Sequence, residues 1–201
     1  MASMLGAHSP DDPNKFEIID ALEEDLAIFG IGDANYCLDF RLYAIRACTA
    51  QHPANLADWE ANIKEWMLDN PIPASPTTFG FMGFQDSTAH VVVFDFDLAV
   101  SKIPRVYDYS FSEEGDVMSL FFCTPDVNLD IMNEAADTSK QVFKEHFAYE
   151  GPEGLTRCLY GTYKTLVKKG VLEPESHSFW QYPPVRWDKV NPSPRQSNLL
   201  Q

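Results

Sequence analysis

No segment limits the fold of this chain more than Pro71-Ile-Pro-Ala-Ser-Pro76. Three prolines in six residues remove backbone donors and push the residue before each proline into extended conformations, so no helix crosses it. It divides two textures. Before it, apolar residues recur at helical spacing. Asn14 caps a first segment with Glu17 three residues on, apolar residues at Ile18, Ile19, Leu22, Leu26 and Phe29, and Gly30 and Gly32 closing it, which predicts an amphipathic helix. Asp33 opens a second helix with Tyr36, Cys37, Phe40, Tyr43, Ala44, Ala47 and Cys48 on one face. Leu38, Leu42 and Ile45 widen its apolar surface, so it is expected to be central and largely buried. Asn55 caps a third, through Leu56, Trp59, Ile63, Trp66 and Met67.

After Pro76 the period shortens to two. Thr77–Phe84 and Thr88–Ala99 read as one hairpin, and Arg105–Ser112 and Asp116–Cys123 as another. His90, Val92, Phe94, Phe96 and Leu98 alternate with Val91, Val93, Asp95 and Asp97. Thr124 and Pro125 then start a helix reaching about Tyr149, and a last helix spans Glu153–Lys169 with Gly170 as its C-cap. The expected fold is α+β: N-terminal helices, a four-stranded antiparallel β-meander, two C-terminal helices and an extended tail rich in proline and aromatics. Residues 1–13 are expected as a flexible tail, 14–172 as one domain (helical 14–70, sheet 77–124, helices 125–170), and 173–201 as the extended tail.

Charge narrows the function classes. Fifteen Lys and Arg face thirty Asp and Glu, a net of −15, and residues 1–100 hold −12 of it. A surface this acidic lacks the clustered cations that release counterions from a phosphate backbone, so direct nucleic-acid binding and docking on anionic membranes are excluded. Glu17, Asp20 and Glu24 fall on one stripe of the predicted first helix, with Glu23 beside them. Like charges at that spacing repel, and a cationic surface would relieve the cost. The expectation is an acidic binding protein (inhibitor, immunity-type or regulatory) that holds a basic protein partner through this face, without a cofactor. Trp180 and Trp187, beside Pro183-Pro184, offer a second partner-binding strip or staple the tail to its own core. The four cysteines form no C-x-x-C pair, and no basic n-region or long apolar run is present, so a cytoplasmic location is expected.

A competing enzyme class rests on His90-Val-Val-Val-Phe-Asp95-Phe-Asp97-Leu-Ala-Val100. An apolar strand ending in Asp-x-Asp resembles the first motif of the haloacid-dehalogenase-type phosphohydrolases. The resemblance implies Asp95 as nucleophile, Asp97 as general acid/base, Mg²⁺ held by the carboxylates, and Thr124, at the end of Val117–Thr124, as the phosphate-binding hydroxyl. It covers about thirty residues. Ala99 stands where the family usually has Thr or Val, and Ser101–Ser112 reads as a strand where its parallel sheet needs a crossover helix. Without that chemistry, the same carboxylates are a solvated pair on the wetter strand face, or line a small-molecule pocket.

Overall fold

A computed structural model describes residues 2–7, 17–23, 25–50, 55–85, 88–99, 101–111, 129–146, 152–174 and 177–182. In chain order its elements are β1 (Ala2–Ala7), β2 (Glu17–Glu23), β3 (Leu26–Ile31), α1 (Ala34–Ala50), α2 (Leu56–Asp69), β4 (Thr77–Gln85), β5 (Thr88–Phe96), β6 (Arg105–Phe111), α3 (Leu129–His146), α4 (Pro152–Lys168) and β7 (His177–Tyr182). The α+β class holds, with four helices and a five-stranded antiparallel sheet, ordered β2-β3-β4-β5-β6, where four strands were expected. The elements divide into two compact units, one within Asp11–Asn128 and one combining Met1–Pro10 with Leu129–Gln201.

The extra strands come from residues 17–31, where a helix was expected and a β-hairpin stands instead. The apolar positions 18, 22 and 26 fit either period, and Phe29 extends only the helical one. What decides is Leu26-Ala-Ile-Phe-Gly-Ile31, six apolar residues without a polar break, five of them buried. Such a run suits a strand covered on both faces, whereas a helix would expose part of it. Gly30 lies inside β3 and Gly32 just after it, so neither caps a helix. Gly32 has φ 120°, and a Cβ there would stand 2.3 Å from the Pro76 carbonyl oxygen, so only glycine lets the two segments meet.

Asp33 then fixes the turn into α1. Its Oδ1 accepts from the amides of Asn35 (3.0 Å) and Tyr36 (3.1 Å), its Oδ2 from the Ala74 amide (2.7 Å), and its own amide donates to Thr77 Oγ1 (3.0 Å). One carboxylate thus caps the helix and ties it to the proline-rich segment before β4. Asn55 caps α2 by accepting from the Asp58 amide at 2.9 Å. Both helices bury one stripe against one sheet face, where Leu26, Ile28, Phe79, Phe81, Val92, Phe94 and Phe96 meet Tyr36, Phe40, Ala44, Trp59 and Ile63. Aromatic packing dominates, with Phe40–Phe79 centroids 4.7 Å apart and Phe79–Phe94 5.3 Å. On the opposite face Ala27, Phe29, Thr78, Val91 and Val93 are also buried.

In the other unit β1 pairs antiparallel with β7, Ala2 opposite Tyr182 and Ala7 opposite His177. So the stretch expected as an N-terminal tail contains a strand. α3 packs on α4. α4 ends as expected at Gly170 (φ 74°), with the Val171 amide donating to the Leu166 carbonyl at 2.9 Å and the Gly170 amide to Val167 at 3.0 Å. The predicted strand Asp116–Cys123 lies outside the described residues.

Candidate functional site

The acidic residues expected on one helical stripe are dispersed. Glu17 stands on β2 opposite Ile31, and Glu24 lies outside the described residues. Asp20 forms an ion pair with Arg41 of α1. A bulge between Ala21 and Glu23 shifts the strand register, and Glu23 Oε1 accepts from Cys48 Sγ of α1 at 3.1 Å. Asp20 and Glu23 therefore tie β2 to α1. The Cys48 thiol is pushed up to about 11, by burial first and then by its bond to Glu23 and that carboxylate's charge. Burial, with Asp33 nearby, pushes Cys37 up to about 12. Thiols held protonated in this way are poor nucleophiles at neutral pH.

An acidic stripe stands on α2 instead. Asp58, Glu65 and Asp69 follow i, i+7, i+11 spacing, are exposed, and enter no ion pair among the described residues. Glu60, on the same helix, is engaged by Lys64 at i+4. Asp58 sits in the first turn, where a negative charge suits the helix dipole. Asp69 is the last residue of α2, where no basic residue offsets it and the dipole disfavours it. The signal was in the sequence, on a flank of the helix about 100° round from Trp59, Ile63 and Trp66.

Asp95 and Asp97 are brought near each other, but each has a partner. Asp95 faces Thr78 on β4 and Arg105 on β6 in the ladder, and Thr78 Oγ1 donates to Asp95 Oδ1 at 2.8 Å. β5 stops at Phe96, so Asp97 lies in the connection that follows. There Arg105 Nη2 donates to Asp97 Oδ2 at 3.1 Å, with Asp97 20% exposed. The neighbours of β5 are both antiparallel, unlike the parallel sheet that the phosphohydrolase resemblance implies. No group of three or more His, Cys, Asp or Glu placed to hold a metal ion occurs among the described residues. Thr124 and Trp187 lie outside them, and Trp180 is on β7 opposite Met4.

Beside the Glu23–Cys48 contact a shallow cleft of about 320 Å³ is lined by Ala21, Leu22, Glu23, Ile45, Cys48 and Thr49. The outer face of α1, expected to be buried, is open: Leu38 is 40% exposed, Leu42 48% and Ile45 37%. No helix among the described residues is long and apolar enough to cross a membrane. No protein-family model matches this chain, and no curated protein or solved structure matches it.

Proposed function

We propose that this chain is a binding protein whose sheet unit engages a basic protein surface, with Asp58, Glu65 and Asp69 of α2 at the centre of contact. One observation carries the reading: charge follows the division into units. Residues 11–128 hold six basic and twenty-one acidic residues, net −15, while residues 129–201 hold nine of each and residues 1–10 none. The whole excess of the chain thus belongs to the unit built on the five-stranded sheet. A field of one sign on one unit speeds encounter with a cationic partner and repels acidic ones. Asp69 strengthens the argument, because its position against the helix dipole costs about 0.3–1 kcal/mol that a cation from a partner offsets. An inhibitor or a regulatory subunit fits this physics. Asp95 and Asp97, with Thr78 and Arg105 as partners, have structural work that needs no substrate.

The test is capture of binding proteins at low salt, followed by affinity measured against ionic strength. Affinity should fall at least about tenfold between about 0.05 and about 0.3 M salt. Glu65→Lys with Asp69→Lys should weaken it by a similar factor while the melting curve is kept. Affinity indifferent to salt, or unchanged in the double variant, would refute the reading.

A further inference from the structure

The outer face of α1 has features that the acidic reading does not use. Leu38, Leu42, Ile45 and Thr49 recur at spacings of four, three and four, the rhythm of a coiled-coil seam. All four are exposed, whereas Tyr36, Phe40, Ala44 and Ala47 bury the opposite face in the core. Beside the seam stand Asp39 and Arg46, seven residues apart, both exposed and neither in an ion pair among the described residues. Arg41, on the other flank, is engaged with Asp20.

We propose that α1 pairs antiparallel with α1 of a second copy of this chain. A two-fold axis beside Leu42 places the two Leu42 side chains together and each Leu38 near Ile45 of the other copy. The same axis sets each Asp39 opposite Arg46 of the other copy, so the surface is complementary to itself in shape and charge. This face is also a poor match for the basic partner proposed above. Arg41 and Arg46 are two of only four basic residues in the first hundred, so residues 38–49, with Asp39 their single acid, carry a net +1 within an acidic unit. The pairing is modest in extent. A helix of 17 residues is about 25 Å long, and one helix pair falls at the small end of specific interfaces. The dimer therefore forms and dissociates with concentration.

Sedimentation velocity on the full chain, at moderate salt where repulsion between copies is screened beyond about 8 Å, decides the matter. Over roughly a hundredfold range of concentration the mass should rise from one chain towards two. Leu42→Glu, at an exposed position, should remain a monomer with the wild-type melting curve. Asp39→Arg and Arg46→Asp should each weaken association by about tenfold, because each replaces two attractions with repulsions. The combined D39R/R46D variant should recover to within about threefold of wild type. A monomer at every concentration would overturn the proposal. So would a dimer that tolerates Leu42→Glu, or a double variant as weak as the singles.

Discussion

Replacing Tyr36 with phenylalanine should make this protein more stable. Tyr36 is 5% exposed, and its hydroxyl is the one buried side-chain polar atom without a hydrogen-bond partner among the described residues. Its ring is held on edge by Trp66 (5.2 Å), Phe79 (5.5 Å) and Phe96 (5.6 Å), contacts that phenylalanine keeps. An unsatisfied buried hydroxyl costs about 1–3 kcal/mol. Against this, deleting one oxygen leaves a void of about 10–15 Å³, which at ~24 cal/mol per Å³ costs about 0.3 kcal/mol. The net expectation is a gain of about 1–2 kcal/mol, read as a higher urea midpoint with an unchanged m-value. Alkaline pH supplies a second readout. Burial raises the Tyr36 phenol above its ordinary 10.0, so the unfolded chain releases that proton first. The stability linked to this group is complete below pH 10 and lost as pH rises beyond it, so the advantage of Tyr36→Phe should widen there. A loss of about 1 kcal/mol or more would show that the hydroxyl is satisfied after all, and would refute the reasoning.

Two further substitutions probe how the sheet is tied together. Thr78→Val keeps the shape of a residue only 2% exposed but removes the donor to Asp95, and should cost about 1 kcal/mol in chemical denaturation. Equal stability would mean that Asp95 needs no donor from β4. Gly32→Ala forces a Cβ to within 2.3 Å of the Pro76 oxygen at a positive φ, and should cost about 2–4 kcal/mol. A neutral result by thermal melting would mean that this junction relaxes freely.

The sequence revealed most where two signals agreed. For α2, the Asn55 cap, the spacing of Trp59, Ile63 and Trp66, and the stop before Pro71 all point to one element. β4 and β5 combine alternation with a short turn, and Gly170 ends α4 as expected. The hairpin of β2 and β3 was hidden because positions 18, 22 and 26 satisfy both periods and Phe29 continues the helical one. Contacts far along the chain break that tie: β3 pairs with β4 across both helices, Ile31 opposite Thr78. The acidic residues at 17, 20 and 23 share no helical stripe for the same reason, since they stand on a strand. On β2, Asp20 and Glu23 serve Arg41 and Cys48. The exposed seam of α1 was legible as apolar but not as open, because periodicity shows which residues share a face and not what covers it.

The pairing of β1 with β7 sets an order on biosynthesis. About 170 residues separate Ala7 from His177, and the entire sheet unit is encoded between them. At ~5–20 residues per second the first strand waits about 10–30 s for its mate, long after the intervening sheet has been made. The sheet unit thus has time to fold on the ribosome while β1 is still a single strand. A ribosome stalled before His177 would carry a finished acidic unit and an open clasp.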